Sequence, residues 1–422
     1  LVFVVAGSAC TDLLGNDFTV EEGAGGGAGQ HTTTSGSGGG GGTSTSGSGG
    51  AAGGGAAGGG AAGGCGDGTA VAGEVCLDEG GQLGAPTDPR GVAVADIDED
   101  GHDDVVVTFF GNGSNGGGMH FLGDGQGSFD LGVGIDLGSG GFGRVVVGAI
   151  ADLDLDICAI NHAGGGSTHC VRGDGNGGFG DLSTHLGGDF DLELVDITHD
   201  GYLDYMTVGD NEFLLGFESN FAENFPATAS WLEEDALSFP IMGIAHGDFN
   251  ADTHIDLVTT HPNTNQARVL RGDGSAGSSP FASSPVTILS VVAGPVDAAV
   301  GDFDGDQALD IALAVEERVA VRLGDGDGVG FGSEQVYAVG EGTVAIVTAD
   351  FDQDGLDDVA TANDSGTISV LRSIDGASFE PQLSIAANGG PVHLATGDFN
   401  EDGSPDIVYV SNLGVFTILS SP

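Results

Sequence analysis

One nine-residue pattern recurs through this chain and leaves few folds open to it. Its clearest copy is Asp-Phe-Asp-Gln-Asp-Gly-Leu-Asp-Asp, with carboxylates at loop positions 1, 3, 5 and 9: Asp350, Asp352, Asp354 and Asp358. Gly355 follows the third of them. Oxygen donors so spaced, with a glycine at the sharp turn, suit one hard cation. The apolar run Val359-Ala-Thr-Ala comes next, so the loop joins two strands rather than opening a helix. The first Asp of the pattern falls at Asp96, Asp152, Asp196, Asp248, Asp302, Asp350 and Asp398, in steps of 56, 44, 52, 54, 48 and 48 residues.

Each unit reads the same way. A Gly/Pro turn leads to a Val/Ala-rich strand, as at Gly91-Val-Ala-Val-Ala. The acidic loop follows, then a second strand, such as Asp310-Ile-Ala-Leu-Ala-Val. A third strand ends in Gly-Asp-Gly, and a Gly-x-Phe segment introduces a fourth, as at Gly330-Phe-Gly-Ser-Glu-Gln-Val-Tyr. Four short strands per ~50 residues, repeated, predict an all-β fold, a seven-bladed β-propeller of four-stranded blades. The last unit stops at Pro422 without its fourth strand. Segment 74–84 lies where other units carry a fourth strand, and it is expected to pair with the last blade. That pairing removes two exposed edges.

The pattern Asp-Phe-Asp/Asn-x-Asp-Gly-x-x-Asp-Ile/Val, followed by Val-x-Leu-Gly-Asp-Gly-x-Gly-x-Phe, resembles the FG-GAP (VCBS-type) repeats of integrin α-subunit propellers and many bacterial surface proteins. The resemblance covers roughly residues 81–422. It implies a calcium-bearing, usually extracellular propeller, often used for adhesion or ligand binding, and no single activity.

The loops differ in quality. The first offers Asp96, Asp98, Asp100, Gly101 and Asp104, with a backbone carbonyl expected from His102. The sixth is equally complete, with Leu356 in the carbonyl position. The seventh has Asp398, Asn400, Asp402, Gly403 and Asp406, with Ser404 in the carbonyl position. The fifth has Asp302, Asp304, Asp306 and Asp310, with Gln307 in place of the glycine. The fourth has Asp248, Asn250, Asp252 and Asp256, with Thr253 there. The third has Asp196, Thr198, Asp200, Gly201 and Asp204. The second, Asp152-Leu-Asp-Leu-Asp156, is too short and is expected to bind nothing. Like charges ~4 Å apart repel by roughly 4 kcal/mol at an effective dielectric of ~20, and a divalent ion reverses that sign. An acidic turn can also exist for its turn chemistry alone. Repetition in register favours calcium, up to about six structural ions, over Mg²⁺, which demands stricter geometry.

Charge excludes several partners. The chain carries 63 acidic and 8 basic residues among 422, and all eight basic residues are Arg. A formal charge of −55 repels nucleic acid and anionic membrane surfaces. Regular Val/Ala/Ile/Leu runs after residue 90 argue for a packed core rather than disorder. Leu1-Val-Phe-Val-Val-Ala-Gly-Ser-Ala-Cys10 resembles the end of a bacterial lipoprotein signal, with Cys10 as the lipidated residue. An ordinary secretory signal is the alternative; both imply export to the outer surface or beyond. Residues 11–64, nearly all Gly, Ala, Ser and Thr from 23 onward, form a tether with a reach of roughly 35 Å. Residues 65–80 resemble the short cysteine-rich repeat of bacterial surface proteins. Four cysteines beyond Cys10 suggest two local disulfides, Cys65–Cys76 and Cys158–Cys170.

Other motifs are weak. Arg172-Gly-Asp174 and Arg271-Gly-Asp273 sit at the repeated Leu-Gly-Asp-Gly turn, with Arg in the Leu slot. Gly173, Gly175 and Gly178 match a dinucleotide-loop spacing, but no helix follows. His162 and His169 flank a Gly-rich loop beside Cys158 and Cys170, where a transition metal is conceivable and surface histidines are the plainer reading. The aromatic-rich stretch 213–240 holds the single Trp, Trp231, and reads as an irregular insert or a binding surface. There is no Gly-x-Ser-x-Gly, no His-Glu-x-x-His and no Lys for a phosphate loop. The expectation is a monomeric, non-catalytic, calcium-binding surface protein that recognises a protein or glycan ligand, with no catalytic residue assigned. A propeller-scaffold enzyme acting on extracellular polysaccharide and a purely structural surface module are the alternatives. A polar pocket at the propeller axis would favour the enzyme.

Overall fold

In the computed structural model the described residues are 75–420, apart from 85, 112–115, 151–153, 163–165, 188–189, 210–212, 218–230, 235–239, 276–279, 282–285, 329 and 375–377. The signal-like start with Cys10, the tether, Cys65, Asp152 and most of the aromatic stretch 213–240 lie outside them. One turn of 3-10 helix, Pro262–Thr264, is the only helix among the described residues.

The β-branched runs form strands buried on both faces. They assemble into seven four-stranded antiparallel sheets. The first strands of sheets 1 to 7 are Pro89–Ala95, Phe142–Gly148, Asp191–Val195, Ile244–Gly247, Asp297–Gly301, Thr343–Ala349 and Pro391–Gly397. Sheets 1 to 5 use four consecutive strands, and sheet 6 inserts a two-residue hairpin, Ser373–Ile374 with Ser378–Phe379. Sheet 7 takes its fourth strand from far upstream: Leu77–Gly84 pairs antiparallel with Gly414–Ser420. The first strands of consecutive sheets lie against one another, and that of sheet 7 lies against that of sheet 1.

The core sits between sheets. Position 2 of six loops is Ile97, Ile197, Phe249, Phe303, Phe351 or Phe399, Ile150 fills the equivalent place just before the short second loop, and all seven are buried. Each large side chain caps the strands of its neighbour. Phe249 packs with Val300 and Ile311 of sheet 5. Phe399 of sheet 7 packs with Val94 and Val105 of sheet 1. Burying one such side chain contributes about 1.5–3 kcal/mol, so the repeated Phe holds adjacent sheets in register.

Cys158 and Cys170 face each other on neighbouring strands of sheet 2 and are disulfide-bonded, fully buried. Cys76 is also disulfide-bonded. The Asp of each Arg-Gly-Asp turn is used inside the turn. Asp174 Oδ1 accepts from Asn176 N and Gly178 N, and Asp273 Oδ1 accepts from Ser275 N.

Candidate functional site

The acidic loops join the first and second strands of their sheets, and backbone amides shape them. In sheet 1, Asp96 accepts from Asp100 N (3.0 Å) and Gly101 N (2.9 Å), and Asp100 accepts from His102 N (3.0 Å). The same bonds recur around Asp196, Asp248, Asp350 and Asp398. Position 6 has positive φ whatever residue fills it: Gly101, Gly201, Gly355 and Gly403 at 87° to 93°, but also Thr253 at 73° and Gln307 at 70°. The turn therefore survives loss of its glycine, at a conformational cost.

Three loops bring three carboxylates within 4.8 Å of one another: Asp96, Asp98 and Asp104; Asp302, Asp304 and Asp306; Asp350, Asp352 and Asp358. The loops of sheets 3, 4 and 7 carry Thr198, Asn250 and Asn400 at position 3 and form no all-carboxylate cluster of this kind. Thr198 donates its hydroxyl to Asp204 (3.3 Å), and Asn400 donates to Asp402 (3.0 Å) and to the Ser420 carbonyl (3.2 Å). The three clusters are all hard oxygen, each carboxylate has lone pairs beyond those its amides use, and the donor set fits calcium. Loop 6 differs in one respect: Arg372 Nη1 lies 3.5 Å from Asp352 Oδ2.

The ninth-position Asp has a second task. Its Oδ2 accepts from the amide of the position-2 residue in six sheets, and Asp156 Oδ2 accepts likewise from Ile150 N in the short second loop, all at 2.8–3.1 Å. Among the described residues, Oδ1 accepts from the end of the third strand in six sheets: Gly123, Gly173, Gly272, Gly324, Ser373 or Ser420. Asp156 keeps both bonds although the second loop is short. Burial outweighs these amides and raises Asp104 and Asp310 to about 7 and Asp358 to about 8.

Neighbouring loops also touch, which the repeat pattern did not reveal. Position 4 of one loop meets position 7 of the next. Gln353 donates to Gly403 O and Ser404 Oγ, His199 stands edge-on to His254, and Glu401 of sheet 7 pairs with His102 of sheet 1. The signal lies across ~50 residues and changes chemistry at each pair, so spacing alone cannot find it.

A second cluster lies where the first strands converge. Arg144 reaches Asp191 Oδ1 through Nε (3.2 Å), Asp297 Oδ2 through Nη2 (2.8 Å) and His393 Nε2 through Nη1. Its partners pass the link on. His393 Nδ1 faces Val92 N (3.1 Å), Asp191 Oδ2 accepts from Ile244 N (2.8 Å), and Asp297 Oδ2 accepts from Ile346 N (3.2 Å). A neutral imidazole has one acceptor nitrogen, so His393 accepts from either Val92 N or Arg144; in both cases Arg144 joins the first strands of sheets 2 to 6 through one guanidinium. Burial would lower the Arg144 pKa, but Asp191 and Asp297 outweigh it and hold the group charged. Burial raises Asp191 to about 7 against the pull of Arg144, with Asp297 and Glu193 adding to the rise. Burial and the Arg144 charge keep His393 neutral, well below its ordinary range.

Above this cluster opens a cavity of about 380 Å³, lined by Arg90, Phe110, Gly143, Arg144, His162, Phe190, Val344, Val392 and His393. It lies at the starts of the first strands, the ends remote from the acidic loops.

A family model for the FG-GAP-like repeat matches residues 248–313, 302–361 and 350–409. No curated protein sequence matches the chain significantly. Among solved structures, the chain is similar to BBS1N in complex with ARL6DN, from crystals soaked with lead (TM-score 0.52, 11% identity, 81% of this chain and 94% of that one). The mercury-soaked crystals of that complex give TM-score 0.52 and 12% identity, with the same coverage. Sqt1 of Saccharomyces cerevisiae follows at TM-score 0.48 and 8% identity, over 82% of this chain and 95% of that one. At such identities the BBS1N likeness concerns the fold alone, a propeller type. The chain is an all-β repeat protein of propeller type, and its second half carries FG-GAP-like repeats.

Proposed function

We propose that this chain is an exported, non-catalytic, seven-bladed FG-GAP propeller whose acidic loops hold structural calcium and whose opposite face recognises a protein or glycan. The observation that carries the reading is the set of three-carboxylate clusters at equivalent loops of sheets 1, 5 and 6. Each would gather like charge without a counter-ion and pin its hairpin with one. Seven sheets, with the upstream strand Leu77–Gly84 completing the last, support the ring. The buried Cys158–Cys170 disulfide favours an oxidising compartment, hence export. Cell-surface attachment through Cys10, and the monomeric state, belong to the same proposal.

The test is thermal melting with calcium and with chelator. Saturation at about 100 times the Kd of one site adds roughly 2.7 kcal/mol per ion. An unchanged melting temperature would sink the calcium reading. A glycan array and pull-down on calcium-loaded protein would test recognition.

The cavity's Arg and His side chains give the polysaccharide-enzyme reading its one specific support. Glycoside hydrolysis ordinarily uses two carboxyl groups, and none of the nine lining residues among the described ones carries one. Recognition is therefore the preferred reading.

A further inference from the structure

We infer that the axial cavity binds a small carboxylate carried on a ring, as in a sugar acid or an aromatic acid. The inference rests on the ligand-recognition reading above and names the ligand class for that face.

Two of the chain's eight Arg, Arg90 and Arg144, line the cavity, in a protein with 63 acidic residues. Among the described residues, the other polar lining groups are His162 and His393. Guanidinium only donates hydrogen bonds, so the lining calls for an acceptor. At about 380 Å³ the cavity suits a single ring with its substituents.

The two Arg have different tasks. Arg144 is fixed by its bonds to Asp191 and Asp297, which use two of its five N–H groups, and it lies against His393. Asp191 and Asp297 together more than match its single charge, so it serves the ligand's neutral oxygens. Arg90 is freer. It pairs with Asp88 at 2.9 Å, but the two side chains are 42% and 40% exposed. Such a pair is worth about 0–1 kcal/mol, and a ligand carboxylate can replace Asp88. The distant negative charges matter less, because salt screens them beyond about 8 Å.

The wall is built to hold shape. Arg90 lies over Phe110 at 5.3 Å, and Phe110 stacks on His162 at 5.2 Å. Both rings rest on glycine backbone: a Cβ on Gly141 would run into Phe110, and one on Gly143 into His162. Phe190, Val344 and Val392 supply apolar surface for a ring face.

The experiment is calorimetric titration of the calcium-loaded full chain with sodium glucuronate, sodium benzoate, glucose and inorganic phosphate. The variants are Arg90→Gln and Phe190→Ala, each checked for an unchanged melting temperature. We expect saturable binding of a carboxylate probe, weakened about tenfold or more by Arg90→Gln, with glucose and phosphate much weaker. Glucuronate above benzoate identifies a sugar acid; the reverse identifies an aromatic acid. The inference is overturned if neither carboxylate saturates by about 50 mM, where a millimolar binder would. It is equally overturned if Arg90→Gln binds like the parent, or if phosphate or glucose matches the better carboxylate. Array binding that persists alongside any of these results leaves the broader recognition reading standing. A silent array with a saturating carboxylate titration supports the inference and narrows the recognition reading from a protein or glycan to the small ligand.

Discussion

The acidic loops and the axial cluster both bury carboxylates, and they neutralise them in opposite ways. At the axis the chain supplies its own cation: Arg144 stands between Asp191 and Asp297, buried carboxylates whose other contacts include the amides of neighbouring sheets. In the loops of sheets 1 and 5 the carboxylates meet backbone amides and one another. An internal cation makes a joint that is always closed. A site without one makes a joint whose strength depends on the medium.

The largest effect that can break this comparison is at the axis. Arg144→Met leaves Asp191 and Asp297 buried without their counter-charge, which costs roughly 3–5 kcal/mol. Chemical denaturation with and without calcium should show the same loss in both. Arg144→Lys should rescue little, because an ammonium cannot span three directed partners. A loss confined to the calcium-free protein would mean that the axis is not independent of the loops.

The next effect concerns pH. In cation-free protein, Asp104, Asp310 and Asp358 have pKa values raised by burial to about 7, 7 and 8, against an ordinary 3.8. The folded state then binds protons more tightly than the unfolded one. Stability is greatest at low pH and falls as pH rises from about 4 to about 8. Chelated protein should therefore be more stable at pH 5 than at pH 8 in melting experiments. Calcium requires deprotonated ligands, so loaded protein should show the opposite slope. Asp191 titrates on the same side but belongs to the axis, and its part cancels in the difference. Equal slopes with and without calcium would dissolve the distinction.

Loop 6 stands between the two designs, since Arg372 reaches Asp352 and also pairs with Glu380. Arg372→Met should raise calcium affinity at that loop a few-fold, about 0.5–1 kcal/mol, read by terbium competition. No change there would show that the guanidinium does not compete for the carboxylate.

How legible each region was follows from the same contrast. The loops repeat, so spacing exposed them, together with the strand order and the distant closing strand. Loop 5 gathers its carboxylates despite Gln307, because position 6 keeps the left-handed turn with a side chain present. The ninth Asp read as a ligand, and its amide bonds in all seven sheets were invisible, since donors on the third strand lie 14 to 19 residues away. Arg144 was not legible at all. It occurs once, in no motif, and one of its partners is 249 residues distant. Convergence of the first strands follows from the way neighbouring sheets pack on one another and leaves no periodic trace in the chain.

The smallest effect separates the loop's backbone from its metal chemistry. Gln307 holds φ at 70°, where an L side chain costs roughly 1–2 kcal/mol and glycine nearly nothing. Glycine returns about 0.5–1 kcal/mol of that to the unfolded chain's entropy. Gln307→Gly should then stabilise the protein by about 0.5–1 kcal/mol in urea titration, with and without calcium alike. The reciprocal change, Gly355→Gln at φ 91°, should destabilise it by a similar amount. Gln307 N already donates to Asp302 Oδ2 at 2.9 Å, as Gly355 N does to Asp350, so neither change alters a donor or a carboxylate. A gain seen only with calcium would mean that the turn is set by the ion, and that the loops are not shaped in advance of it.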